Sequence, residues 1–233
     1  MDLKATLRKF TPQFFLDFYR QFKKKQVRSQ LQQAAQSGDV LSKDQISSDL
    51  QRLGIEAGDS VLVHCSMSKI GYLENGPLTL IDALKDVLGI EGNILMPSSP
   101  NSSLQLEYVR NHKEFDVTHS PSALGAVSET FRKMNGVKRS WSPTEPVCAF
   151  GPKADWLVSG HKGEETPYTS NSPFARLTEL KGKILYIGVT LDNAGTSLHL
   201  LEDAVPNFKY PVYFAERFDV SIRDEQGSES RLK

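Results

Sequence analysis

Cysteine is scarce in this sequence: Cys65 and Cys148 are the two in 233 residues. Both sit in apolar surroundings, Cys65 at the end of an apolar run and Cys148 inside another. Two thiols so placed exclude the disulfide framework of a small secreted domain and point to a reducing cytoplasm. Net charge is also lacking, since 28 basic residues balance 28 acidic ones. No global field therefore favours nucleic acid or an acidic partner. No apolar run approaches the length of a transmembrane helix, and MDLKATLRKFTPQFF lacks the uninterrupted apolar core of a signal peptide. No internal repeat is visible. What is left is a soluble, cytoplasmic chain with one ordinary domain and room for an arm.

Residues 1–41 read as that arm. Phe14, Phe15, Phe18, Tyr19 and Phe22 give an aromatic helical face after Pro12, followed by Lys23, Lys24, Lys25 and Arg28. Such a helix packs on its own domain or on a second subunit of a homo-oligomer. The alternative is an interfacial helix with its lysines toward anionic lipid. Residues 42–233 read as an α/β domain. Ser42 caps a helix running to Leu53 and burying Ile46, Leu50 and Leu53, and Gly54 ends it. Ser60 to His64 is a strand, followed by a polar loop from Cys65 to Gly71. Pro77 to Leu88 is a helix with proline in its first turn and Gly89 at its stop. Asn93 to Met96 is a second strand.

Further on, Leu124 to Met134 reads as an amphipathic helix with Leu124, Val127 and Phe131 on one face, stopped by Asn135-Gly136. Arg139, Ser140, Trp141, Ser142 and Pro143 form a polar and aromatic loop before an apolar strand, Val147 to Phe150. Gly160 to Ser172 is a polar loop between two short helices. Lys183 to Val189 is the clearest buried strand. Leu191 to Gly195 is a turn, Thr196 to Ala204 a helix, and Val212–Phe214 with Phe218–Ile222 a terminal strand pair. The polar residues from Glu225 onward are expected to fray.

Several short patterns recur in a fixed order. Gly58, Asp59, His64, Ser66 and Gly71 form the first, and Met96-Pro97 the second. Pro121, Ser122, Gly125, Glu129, Phe131, Arg132, Arg139, Ser140, Pro143 and Gly151 form the third. Ser172, Pro173 and Leu177, then Thr196, Ser197, His199 and Glu202, complete the set. Together, from about Ser42 to Ala204, they resemble the antibiotic N-acetyltransferases, the aminoglycoside 3-N-acetyltransferase family. The resemblance implies a mixed sheet flanked by helices. It implies acetyl-CoA as co-substrate, no metal, and transfer to an amino group of an aminoglycoside or of an amino sugar in polysaccharide synthesis. It also implies a chain that is short at its C-terminus.

The same resemblance assigns roles. Ser66, Ser68, Lys69, Gly71, Arg139, Ser140, Thr196 and Ser197 would line the coenzyme site, with Ser142 and Asp192 toward the acceptor. His199, Glu202 and His64 are the catalytic candidates. His199 and Glu202 lie three apart, so a helix places both on one face. Ser142 departs from the family pattern, which has a histidine there, a candidate general base. Serine does not titrate near neutrality. His199, or else His112 or His119, would then replace the base, or the chain would be a catalytically weak or silent acyl-CoA-binding member. On that footing aminoglycosides are expected to be poor acceptors, improved by Ser142→His. A cysteine hydrolase using Cys65 is a third reading, although neighbours in a strand face opposite ways.

Overall fold

The computed structural model of the protein describes residues from Gln36 onward, apart from 103, 211, 212 and 233, and scattered positions before it. The aromatic face expected at Phe14, Phe15, Phe18 and Tyr19 lies outside the described residues.

The chain folds around a five-stranded mixed sheet. Its strands are β2 (Ser60–Cys65), β4 (Asn93–Pro97), β6 (Lys138–Arg139), β7 (Val147–Phe150) and β8 (Lys183–Ile187). The order is β6-β7-β4-β2-β8. β2 runs parallel to both of its neighbours, while β7 is antiparallel to β4 and to β6. Parallel neighbours need a crossover. Between β2 and β4 it is α3 (Pro77–Leu88), which follows the short helix α2 (Met67–Ile70) and the two-residue strand β3 (Tyr72–Leu73). β3 pairs in parallel with β1 (Val40–Leu41), so residues placed with the arm by sequence touch the sheet-bearing part.

Alternation along the strands divides the core into two layers. Val61, Val63, Ile94, Met96 and Cys148 pack on one side against Ile46 and Leu50 of α1 (Lys43–Arg52), Leu80, Ile81 and Leu84 of α3, and Val127 and Phe131 of α5 (Ala126–Arg132). On the other side Leu62, Leu95, Val147 and Ala149 pack against Leu157 of α6 (Ala154–Ser159) and Phe174 and Leu177 of α7 (Pro173–Glu179). A third, smaller core forms where β5 (Glu114–Asp116) pairs with β9 (Val220–Arg223), and β9 with β10 (Glu229–Leu232). It buries Val109, from helix α4 (Gln105–Asn111), with Phe115, Val117, Val220 and Ile222.

Local chemistry explains the helix ends that position the site. Ser42 accepts from the Gln45 amide, and the Gln45 side chain returns the bond to the Ser42 amide, closing a capping box. α3 begins with proline and ends at Gly89, as its sequence predicts. Gly188 has φ +67, and a Cβ there would lie 2.8 Å from the Ser66 carbonyl oxygen. Glycine thus lets the exit of β8 close on the loop after β2.

Several readings need correction, among them the strand expected at Val212–Phe214, since Tyr213 and Phe214 belong to no strand. Leu53 caps α1 and is exposed rather than buried. Leu124 lies before Gly125, whose φ of 122 breaks the helix, so α5 starts at Ala126 and Leu124 faces solvent. The loop after β2 contains α2. β8 is an edge strand with Ile184 exposed, not the most buried one. The tail from Glu225 forms a hairpin strand with β9: Asp224 accepts from the Gln226 and Ser228 amides at a turn through Gly227. β5, its partner across the sheet, had no separate signal.

Candidate active site

The registers bring several loops to one end of the main sheet, the carboxyl ends of β2, β4 and β8. Cys65 pairs with Ile187 there, and Pro97 with Val147. Beside them opens a cleft of about 760 Å³, walled by α4, by Ser142–Thr144, by the loop from His161 to Tyr168, by Thr196 and His199, and by residues 213–218. The small sheet closes it through Val220 and Leu232. Ligand sites of open α/β sheets lie at this end.

Acidic groups outnumber basic ones in the cleft: Glu107, Glu164, Glu165 and Glu216 line it together with Arg110 and Arg217. Arg217 pairs with Glu165 at 2.9 Å and Arg110 with Glu216 at 2.6 Å, clamping the 213–218 segment to two other walls. Glu202 and Asp203 lie close behind. Thr166 donates to Asp203 at 2.8 Å. Deeper in, the Tyr168 hydroxyl is buried with no hydrogen-bond partner among the described residues. Burial raises its pKa, and Glu145, Tyr213, Glu202 and Asp203 raise it further. A surface of this sign attracts a polycation.

His199 and Glu202 form the reactive-looking pair. They lie on α9 (His199–Ala204), which follows α8 (Leu191–Ala194) and the 3₁₀ turn Gly195–Leu198. Nδ1 of His199 is 2.5 Å from Glu202 Oε2. An ionised carboxylate only accepts, so Nδ1 carries the hydrogen and Nε2 is the ring's free acceptor. The ring sits 5.2 Å from that of Tyr168 and is half exposed to the cleft.

His161, which sequence reading passed over as part of a polar loop, is built differently. Its Nε2 is 2.8 Å from the Pro167 carbonyl, which must accept, so the ε nitrogen is the protonated one. Nδ1 then accepts from the Ser140 hydroxyl at 2.8 Å, and Ser140 Oγ itself accepts from the Val147 amide. Nε2 braces the 161–168 wall internally, and Nδ1 ties it to Ser140, which is bonded in turn to Val147 of β7. Burial pushes the His161 pKa down to about 4, which keeps it neutral. A single histidine in a loop carries no periodic signal, which is why sequence alone did not single it out.

The remaining expected residues fall into three groups. Ser142, Thr196 and His199 line the cleft, and Glu202 backs His199. Ser66, Ser68, Lys69 and Gly71 lie in the neighbouring loop, with Ser66 and Ser68 hydroxyls 3.2 Å apart and Lys69 exposed. Arg139, Ser140, Ser197 and His64 are buried. Asp192 is exposed on α8 and does not line the cleft, so the acceptor role expected for it is not supported by its position.

Arg139 also departs from its expected role. Its guanidinium donates to Ser98 Oγ at 3.0 Å, to the Ser98 and Ser120 carbonyls at 2.5 Å each, and to the Val117 carbonyl at 3.3 Å. It also lies 4.9 Å over the Phe115 ring. A charge so enclosed holds the small sheet to the main one and is not free for a coenzyme phosphate. Burial lowers its pKa to about 10, so it stays charged near neutrality.

His64 and Cys65 face opposite layers, as strand alternation requires. His64 stacks on Tyr186 at 5.3 Å, and burial holds its pKa down at about 4. Cys65 packs with the first core layer, and burial pushes its thiol up to about 12. The thiol is neither paired with the imidazole nor ionised, which removes the cysteine-hydrolase reading.

Ser142 turns inward. Its Oγ accepts from the Glu145 amide at 3.1 Å, closing the turn that carries Pro143 and Thr144. Glu145 below it is 6% exposed, and burial pushes its pKa up to about 7. Gln105, the first residue of α4, donates its amide to the Glu145 carboxylate.

The architecture is thus an α/β layered domain in which α9 presents a histidine–carboxylate pair to a cleft lined by an excess of acidic groups. The sequence model of the aminoglycoside 3-N-acetyltransferase family matches residues 62–232, and the chain belongs to that family. Aminoglycoside N(3)-acetyltransferase IV of Salmonella is 40% identical over 162 residues, 69% of this chain and 58% of the relative. Aminoglycoside N(3)-acetyltransferase VIII of Streptomyces fradiae is 31% identical over 179 residues, 71% of this chain and 62% of the relative. The chain therefore spans about three fifths of the length of these relatives.

Among solved structures, AAC-IIIb in binary complex with coenzyme A has a TM-score of 0.70 at 28% identity, covering 83% of this chain and 75% of that one. AAC-VIa bound to sisomicin has a TM-score of 0.67 at 31% identity, covering 82% and 74%.

Proposed function

We propose that this protein is an acetyl-CoA-dependent N-acetyltransferase whose acceptor is an amino group of an aminoglycoside. The observation that carries the reading is the His199–Glu202 pair at the edge of an acidic cleft, in a chain of this family. Glu202 fixes the tautomer and holds Nε2 toward the cleft. His199 then removes the proton of the acceptor nitrogen as that nitrogen attacks the thioester carbonyl carbon. Collapse of the tetrahedral intermediate breaks the carbon–sulfur bond, and the proton held on His199 passes to the departing sulfur, so that coenzyme A leaves as its thiol and the imidazole is neutral again. Thr196, on the same wall, offers its hydroxyl to the developing oxyanion.

Electrostatics supports a cationic acceptor. Glu107, Glu164, Glu165 and Glu216 come from three walls of a space large enough for a small oligosaccharide, and they outnumber the two arginines, Arg110 and Arg217, that pair with Glu216 and Glu165. The names of the relatives favour aminoglycosides over an amino sugar of polysaccharide synthesis. The intact histidine–carboxylate pair favours a working enzyme over a silent acyl-CoA-binding protein. The loop Ser66–Gly71, at the same sheet end and with the exposed cation Lys69, is the proposed seat of the coenzyme. We place the reaction in the cytoplasm, where acetyl-CoA is available. Among the described residues no helix is long and apolar enough to cross a membrane.

The test is direct. Purified protein is incubated with acetyl-CoA and gentamicin or apramycin, and thiol release is followed with mass detection of the acetylated product. Coenzyme A release with a product heavier by one acetyl group is expected. If well-folded protein binds acetyl-CoA calorimetrically but acetylates neither aminoglycoside, the acceptor class is wrong. If it binds no acetyl-CoA, the transferase reading fails.

A further inference from the structure

We propose that Glu145 is a positioning residue for the acceptor, a latch that sets the α4 wall of the cleft against the Ser142–Thr144 wall by holding Gln105. The proposal rests on the transferase reading for its kinetic consequence, though not for the latch itself.

The backbone around Glu145 is clamped from both sides. Its amide donates to Ser142 Oγ, the Thr144 carbonyl accepts from Ser99 Oγ at 2.6 Å, and the Pro146 carbonyl accepts from the Ser98 amide at 2.7 Å. The side chain therefore leaves a fixed point. Its carboxylate reaches Gln105, and α4 continues from there through Glu107, Val109 and Arg110, all on the cleft. The other end of α4 belongs to the small sheet, because Val109 is buried with Phe115 and Val220. The Gln105–Glu145 bond thus joins the α4 wall to the segment that carries the Ser142–Thr144 wall.

α4 has a particular need of such a tie. The residue at its N-cap is Leu104, which supplies no side-chain hydrogen bond. An uncapped first turn of a seven-residue helix frays readily. A buried carboxylate is a costly way to fill space, and an apolar residue at 145 would pack the same volume without that cost. What a carboxyl adds is a carbonyl-type acceptor for the Gln105 amide, which an apolar side chain lacks. Gln105 itself lines the cleft, so moving it shifts both a polar group and the wall behind it.

The experiment compares Glu145→Ala, Gln105→Ala, the double variant and Glu145→Gln in the full chain. The readouts are steady-state kinetics with gentamicin and amide hydrogen exchange across residues 105–111. Each alanine variant should raise KM for gentamicin about tenfold with kcat within about threefold, and exchange in α4 should quicken about tenfold. The double variant should be no worse than either single one, because both remove one contact. Glu145→Gln should behave like the parent, since its amide oxygen still accepts from Gln105.

Unchanged exchange in α4, a fall in kcat at fixed KM, or failure of Glu145→Gln to rescue would each overturn the latch. If Glu145→Ala does not fold, Gln105→Ala at its half-exposed site decides the matter alone. If the parent acetylates no aminoglycoside, the functional reading falls and the exchange measurement still tests the latch.

Discussion

Nδ1 of His199 lies 2.5 Å from Oε2 of Glu202, one helical turn further along α9. This contact decides which ring nitrogen meets the cleft. His161, the other histidine of the cleft wall, has both nitrogens committed to protein partners, so its proton has nowhere useful to go.

The division of labour predicts different fates for the two imidazoles. His199→Asn should lower kcat/KM for an aminoglycoside by about 10²–10⁴, the usual share of a general base, with little change in thermal stability. Glu202→Gln should lose less, since the imidazole remains and only its orientation is weakened. His161→Asn should instead lower the unfolding temperature, because it breaks the tie from Ser140 to Pro167. Calorimetry and initial rates on the three variants separate these outcomes. Wild-type rates in folded His199→Asn would remove the base assignment.

Ser142 calls for a revised expectation. Sequence comparison with the family pattern suggested that histidine at this place would restore a missing base. In the structure the Ser142 hydroxyl closes a buried turn by accepting from the Glu145 amide, and the residue is 6% exposed. An imidazole there would lose that bond and would have to displace packed neighbours. Ser142→Ala should cost about 1 kcal/mol of stability and leave turnover nearly intact. Ser142→His should be less stable and no faster. An increase in kcat/KM for Ser142→His would show that the turn can open toward the acceptor.

The layers of the main sheet were legible because local and global signals agree there. β2, β4 and α3 carry uninterrupted apolar runs or a clean helical stripe bounded by glycine and proline. β8 was misjudged for a physical reason: an apolar run of strand length looks the same at an edge as at the centre. The small sheet was largely invisible because β5 and β10 are short and polar, and β5 is stabilised by pairing with a strand more than a hundred residues away. His199 and Glu202 stood out by spacing. His161, Glu145 and Tyr168 did not, since their roles come from loops that meet only in the folded chain.

Glu145 gives a pH signature that can be worked out in sign. Its carboxyl is raised by burial from the usual carboxylate range to about 7. The folded state therefore holds that proton more tightly than the unfolded chain. The group contributes stability that is complete below the unfolded pKa, near 4.5, and is lost as pH rises through 7. Glu145→Gln is neutral throughout and escapes the loss. Its unfolding temperature should exceed the parent's at pH 8, with the difference shrinking steadily toward pH 5. A difference independent of pH across that window would show that the carboxyl titrates normally in the folded protein.

Arg139 offers the sharpest contrast between what the sequence suggested and what the fold requires. Its place in a motif made it a candidate lining residue of the coenzyme site, where Arg139→Ala would weaken coenzyme binding. The structure gives the side chain other work. The guanidinium is spent on the carbonyls of Ser98, Val117 and Ser120 and on the Ser98 hydroxyl, and it lies against Phe115 of the small sheet. Truncation would leave two buried carbonyls and a half-buried one without this donor and loosen the joint between the two sheets. A loss of about 3 kcal/mol or more is expected, read as a shifted denaturant midpoint. Arg139→Lys should recover only part of it, because one ammonium cannot reach acceptors arranged around a planar fork. Acetyl-CoA affinity, measured by calorimetry on folded Arg139→Lys well below its melting temperature, should stay within about threefold of the parent. An Arg139 variant with native stability but no coenzyme binding would return the residue to the coenzyme site.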